Sequence, residues 1–306
     1  MPASTVVQTL TDYARGIFPG LVAAQDPIIN RMAPVVRVAG ATGKYKSFND
    51  QNAFQNVATA RATGGPAARL EFNATDADYN CTPQALEIGI DDHERDQAGD
   101  SDSMMEEAKV KTLLSTAALS HVADVVTAAK AGVNSTATKA YSNPAVGTPI
   151  LDIDGYIETI ANTIGMFPTD IVFGLAAWKY VRNHNTVIAR FPGAASVGVT
   201  GAQFTGLLLN PSINFGITTA IRDTVKVGAA KATANILGSE IWIFFSSPNP
   251  TQYDASFMKT FSVGAGTIES VRRYREERAR SDILAIDWSR DIEVTSTASV
   301  IRFVVS

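Results

Sequence analysis

The sequence predicts an α+β fold in which one long helix and a second mixed unit are set between β-rich segments. Three observations carry this. Ser103–Ala131 keeps apolar residues on one helical face for several turns. Met166–His184 reads as a Pro turn, a short apolar strand over Ile171–Gly174, and a helix with Trp178 and Val181 on one face. The chain then closes on several strand-like segments between Phe257 and Val305. Strand-turn-helix units occur throughout α/β and α+β folds, so the order and lengths of the segments decide more than any one of them.

In residues 1–34, Val6, Val7, Leu10 and Tyr13 have helical spacing and are expected to stop at Gly16 and Pro19. Asp26-Pro27 then suits the cap and first residue of a short helix through Ile28–Met32. Val35–Val38 alternates as a strand. From Gly40 to Asn80 the pattern thins: Gly43, Gly64, Gly65, Pro66 and many Ala, Thr and Asn surround only Tyr45, Phe48, Phe54, Leu70, Phe72 and Tyr79. Gly64-Gly65-Pro66 is a turn signal, so an extended hairpin is expected. A lone hairpin buries too little to be stable, so the segment reads either as a disordered insertion or, the favoured reading, as an arm that orders by lying on a neighbouring subunit.

Leu86–Ile90 alternates and leads back into the core. Ser103-Met-Met-Glu106 has the capping-box pattern, and Glu106 and Glu107 favour a helix start. Val110, Leu113, Leu114, Ala117, Ala118, Val122, Val125 and Val126 form the apolar face, and Lys130 and Gly132 close the helix. Its length is ~40 Å at helical rise. Asn134–Pro149 is polar and Pro/Gly-punctuated, and marks a boundary. Beyond it, Ile153, Tyr156, Ile157, Ile160 and Ile164 mark an amphipathic helix with Asp152 near its start. Phe204–Leu209 is a short helical piece, while Ile213–Ile221, Val225–Val227 and Ile241–Phe245 read as strands. The closing strands are Phe257–Val263, Ile283–Trp288, Ile292–Thr295 and Val300–Val305, with a charged stretch at Arg272–Arg280.

Composition excludes several classes. A net charge of −4 argues against a dedicated nucleic-acid binder. The single cysteine, Cys81, precludes an intrachain disulfide, and with three histidines makes a zinc cage improbable. Met1–Gln25 lacks the pattern of a signal peptide, and no uninterrupted run approaches the ~18 apolar residues of a membrane helix. Neither phosphate-cradling glycine loop, His-Glu-x-x-His nor Gly-x-Ser-x-Gly occurs, so neither an enzyme nor any cofactor or metal is expected. His121 falls on the apolar face as a core or interface histidine. His93 sits in a solvated acidic turn, and His184 favours the C-terminus of the Trp178 helix. Cys81, without basic neighbours, reads as inert. The Arg272–Arg280 run holds its own carboxylates, Glu276 and Glu277, and reads as a salt-bridged interface or solvated face rather than a DNA patch.

Taken in order, these segments resemble the major capsid proteins of tailed bacteriophages, the fold named after phage Hong Kong 97. The resemblance implies an N-terminal arm at 1–34, an extended loop at 35–80 and a peripheral domain with its spine helix at 81–139. An axial domain at 140–256 and closing strands of the peripheral domain at 257–306 complete it. Phe167-Pro-Thr-Asp-Ile-Val-Phe-Gly174, Trp178 and Asn183-His184 resemble a segment frequent in these proteins. The implied function is a shell: hexamers and pentamers closing into an icosahedral virion head around double-stranded DNA, assembled in the host cytoplasm. The implied partners are further copies of itself, a separate scaffolding protein, a portal, a decoration protein and the packaged DNA, with no membrane. Lys44, Lys46, Phe48, Phe54, Arg61 and Arg69, with Arg272, Arg273, Arg275 and Arg278, are the residues expected to touch neighbouring subunits. Some family members crosslink a loop lysine to an Asn; no matching Asn with an assisting carboxylate accompanies Lys44 or Lys46 here. An encapsulin-like protein compartment shares the fold and is the alternative. A hydrolase using Asp91 and Glu94 is a remote one.

Overall fold

The computed structural model describes residues 3–26, 28–47, 60, 63, 65, 75–99, 102–191, 198–223, 225, 230–264 and 268–306. The chain begins with helices α1 (Ala3–Gln25) and α2 (Ile29–Met32), then strands β1 (Val35–Val38), β2 (Thr42–Ser47), β3 (Thr75–Asn80) and β4 (Thr82–Asp91). Helices α3 (Asp92–Ala98) and α4 (Asp102–Gly132) follow. The middle of the chain comprises β5 (Thr138–Lys139), α5 (Pro149–Ile164), β6 (Asp170–Gly174), α6 (Leu175–Arg182), α7 (Asn185–Ile188) and α8 (Gly201–Thr205). It continues through β7 (Asn214–Thr218), β8 (Ile221–Asp223), β9 (Thr233–Asn235) and β10 (Glu240–Phe244). The chain closes with β11 (Met258–Val263), β12 (Ser270–Glu276), β13 (Ser281–Val294) and β14 (Val300–Val305).

Two five-stranded sheets organise these elements. The first runs β1-β11-β13-β12, with β4 on the opposite side of β13. The second runs β5-β14-β10-β6-β7. Helices α1 and α4 cover one face of the first sheet, where Leu284, Ile286 and Trp288 meet Leu114, Ala118 and Val125 in one apolar cluster. Helices α5 and α6 cover the second sheet, burying Ile153, Ile157, Ala177 and Trp178 with Phe173 and Ile243.

The second sheet is a wall shared by both cores. All five positions of β6 and of β10 are buried. Their residues alternate between the two clusters: Ile171, Phe173, Ile241 and Ile243 face the helices α5 and α6, while Val172, Trp242 and Phe244 join the cluster beneath α4. The unbroken apolar runs Ile171-Val-Phe173 and Ile241-Trp-Ile-Phe244 have this cause, because a strand covered on both faces needs no polar alternation. A polar knot ties the end of α4 to the same wall. Lys130 and Arg302 both pair with Glu240, at 3.1 and 3.0 Å, and Arg302 donates to the carbonyl of Val133 and lies over the Trp242 ring.

The predicted face of α4 is buried at every named position from Val110 to Val126. Several expectations need correction. Helix α1 does not stop at Gly16 but runs through Pro19. Its buried stripe is Leu10, Ala14, Phe18 and Val22, packed with α4, and that burial outweighs the backbone bond Pro19 removes. Thr11 and Arg15 fasten the same helix by bonding the Val271 N–H and the Ile268 carbonyl. The acidic turn around His93 is a helix, α3, whose N-cap Asp91 accepts from the His93 N–H at 2.8 Å. The expected strands at 283–288 and 292–295 merge into one strand, β13, which ends at Val294. The closing segment 257–306 divides between the sheets: β11 to β13 lie in the first, β14 in the second. By length and mean hydropathy Ser103–Gly132 is long and apolar enough to cross a bilayer, although polar residues interrupt it throughout; half of its most apolar window is packed inside the protein. The expected strand Val225–Val227 lies largely outside the described residues.

Candidate assembly surfaces

The loop candidates begin on the β2–β3 hairpin, which docks on the face of the first sheet away from α4. Tyr79 stacks on Phe261 at 4.7 Å and Tyr45 tilts against the same ring at 5.2 Å; Val36, Val38 and Cys81 complete this small core. Gly43 makes the stacking possible, since a Cβ there would fall 2.4 Å from the Tyr79 hydroxyl. Asn80 N–H donates to Asp291 at 2.7 Å, and Lys46 N–H to the Gln252 carbonyl at 3.3 Å. Burial, with Glu293 and Asp291 nearby, pushes the Tyr45 phenol up to about 12. The base of the hairpin is therefore packed on its own chain, which the sequence reading had assigned to a neighbour. Lys46 pairs with Asp76, and Lys44 lies opposite Asp78 in register. Phe48, Phe54, Arg61 and Arg69 lie outside the described residues.

Arg272, Arg273 and Arg275 lie on β12 and are bound within the subunit. Arg273 spans Glu106 at 2.8 Å and Asp282 at 2.7 Å, and Arg95 reaches the same two carboxylates. Arg275 holds Asp92, and Arg272 clasps Asp287 from the neighbouring strand. Burial alone would raise the Asp282 carboxyl, but Arg95 and Arg273 hold it down at about 2. Glu106, read from sequence as a capping-box acid, is instead a hub joining α3, α4 and β12. Its signal was an acid one turn into a helix, and that signal has two uses. Arg278 stands exposed on the turn after β12. The surface these residues present is a lattice of matched charges rather than a bare basic strip.

The remaining candidates are structural. His121 is buried, its imidazole depressed to about 3 by burial and by Arg290, and its Nδ1 has no hydrogen-bond partner among the described residues. His184 is the N-cap of α7 rather than a C-terminal charge. It accepts the Thr186 N–H at Nδ1 and contacts the Val146 carbonyl through Nε2 at 3.0 Å. Burial raises the Cys81 thiol. Asp91 is spent as a cap and Glu94 pairs with Lys109 at 2.7 Å, so the two are held in separate roles. Among the described residues no group of three or more His, Cys, Asp or Glu converges as a metal cage would require.

Large apolar side chains remain exposed elsewhere, including Met104, Leu151, Phe167, Leu209 and Ile221. Strands β8 and β9 are exposed at every position and pair with neither large sheet.

No family model and no curated protein matches the sequence. Solved structures do match its fold. A phage-related protein from Bordetella bronchiseptica superposes with a TM-score of 0.70 at 20% identity, covering 93% of this chain and 96% of that one. A virus-like particle protein from Pyrococcus furiosus gives 0.58 at 7% identity, covering 95% and 98%. The mature capsid of bacteriophage PhiM1 gives 0.53 at 10% identity, covering 91% and 86%. The chain thus has the Hong Kong 97-type capsid fold expected from the order of its segments.

Proposed function

We propose that this protein is the major capsid protein of a tailed bacteriophage, many copies of which build the head shell. The observation that supports this is the breadth of the structural match, which extends over 91–95% of this chain for a virus-like particle protein and the mature capsid of phage PhiM1. The physical design supports it. Exposed apolar residues and a free-standing hairpin gain burial only from other subunits, and many weak contacts made together produce a stable particle. In this reading hexamers and pentamers form the shell, the exposed part of the 35–80 loop reaches a neighbour, and double-stranded DNA fills the interior. A scaffolding protein, portal and decoration protein are the expected partners, with assembly in the host cytoplasm and no catalytic step.

Negative-stain microscopy with sedimentation of purified protein tests the reading. Closed shells or rings of five or six subunits are expected. Persistent monomers across protein concentration and salt would overturn it. The likeness to a virus-like particle protein favours an encapsulin-like compartment as the second reading, and particle content separates the two. Particles recovered from infected or producing cells should contain DNA, whereas protein cargo would select the compartment.

A further inference from the structure

The corner between α1 and α2 meets the second sheet at its edge strand. Ile28 seats over Gly216 of β7, where an added Cβ would stand 2.3 Å from the Ile28 side chain, so glycine is required for this approach. Arg31 lies at one end of the contact, 3.1 Å from Asp170 of β6. Asp26 lies at the other end, beside Thr218 of β7, and is fully buried. Its Oδ1 accepts the Ile28 N–H at 3.0 Å. Its Oδ2 and the Thr218 hydroxyl, both buried, each lack a hydrogen-bond partner among the described residues. A fully buried carboxylate just past a helix C-terminus faces the negative end of that helix away from water, a cost that protonation removes even though the Thr218 hydroxyl beside it can donate to the charged form. As a carboxylic acid, Asp26 gains an O–H to offer Thr218.

We propose that this corner is a proton-tightened latch that clamps the N-terminal helices to the edge of the second sheet. The inference does not rest on the shell reading. Burial raises the Asp26 carboxyl above its ordinary value, against the opposing effects of the Ile28 N–H, Thr218 and Arg31. Asp170, the other acid facing the corner, is raised by burial too, against Thr169, Arg31 and Asn214. Arg31 is the charged group acting on both acids. The sign follows. The docked corner binds the proton more tightly than a released one, so docking strengthens as pH falls through the docked-state value and weakens as pH rises.

Hydrogen exchange of the full-length protein between pH 8 and pH 5, corrected for intrinsic rates, tests the latch. Protection over residues 22–33 and 214–218 should rise as pH falls, by at most about tenfold per pH unit for a single linked proton. In Asp26→Asn the amide supplies the missing donor, so protection should be high and independent of pH across the range. A wild-type slope retained in Asp26→Asn, or wild-type protection that does not change with pH, overturns the proposal. Should Asp26→Asn fail to fold, Gly216→Val provides the second arm. It lifts Ile28 from its seat and exposes Asp26, so the slope must disappear; a slope that persists overturns the latch.

Discussion

The two sheets hold the same number of strands but are stabilised differently. The second is dry on both faces, with β6 and β10 buried at every position. The first is dry only towards α1 and α4; over most of its other face Arg272, Tyr274 and Glu87 stand in solvent. The central strands of the second sheet thus owe their stability chiefly to apolar burial, which is large and insensitive to pH. The titrating contact of this sheet is confined to the α1–α2 corner at its edge, whereas the first adds a whole set of charged ties that respond to acid. Where one sheet serves as a wall between two cores, damage on either side should be felt by the whole chain.

The largest expected effects test that wall. Leu114→Asp places an unpaired carboxylate in the core beneath α4 and should abolish soluble folded subunits. Phe173→Ala on the opposite side of the wall should cost ~3–5 kcal/mol, and Leu114→Ala ~2–5 kcal/mol, through lost transfer energy and cavity formation. Denaturant unfolding followed by tryptophan fluorescence and by circular dichroism should give one coincident transition for either alanine variant. Separate transitions would show that the two cores unfold independently and that the wall does not couple them.

The next effect belongs to the buried face of the first sheet. His121, depressed to about 3 against an ordinary 6.5, contributes stability that is full above pH 6.5 and is lost as pH falls towards 3. At pH 5 the loss is about 2 kcal/mol. In His121→Leu, stability between pH 7 and pH 5 should flatten relative to wild type; an unchanged slope would remove His121 as its source.

Smaller effects come from the charged ties. Asp282, held at about 2, supports the fold above its ordinary 3.8, and that support is lost as pH falls from 3.8 to 2. Asp282→Asn should lower stability at pH 7 and remove this acid-sensitive portion, as measured by thermal unfolding at a series of pH values. Arg272→Ala breaks a pair whose arginine is 59% exposed and should have the smallest effect of these variants, falling further in high salt. A cost of several kcal/mol would mean that the outer lattice is as structural as the wall.

The same contrast explains what could be read in advance. The second sheet and α4 were legible because burial on one or two faces leaves a period or an unbroken run in the sequence. The stripe Leu10, Ala14, Phe18 and Val22 was equally regular, but Gly16 and Pro19 outweighed it in the reading, since local propensity cannot show how much a helix gains by packing on α4. The roles of Glu106, Arg273 and Asp282 were invisible for a different reason. A carboxylate can cap, pair or stay hydrated, and only the meeting of α3, α4 and β12 chooses among these. The seat of Ile28 on Gly216 depends on contact between residues far apart in sequence, and a glycine in a strand reports only that something comes close.

The alternation of the chain between the two sheets has a practical consequence for dissecting the molecule. The polypeptide leaves the first sheet after α4, builds most of the second, returns for β11 to β13, and then supplies β14 between β5 and β10. A fragment cut at the sequence boundaries, residues 140–256, would therefore carry β10 with the whole edge that pairs with Val300–Val304 laid bare. Such an edge is a template for aggregation rather than a module ready for crystallisation or fusion. Excising this half requires reattaching the last strand through a designed linker, a permuted gene rather than a truncated one.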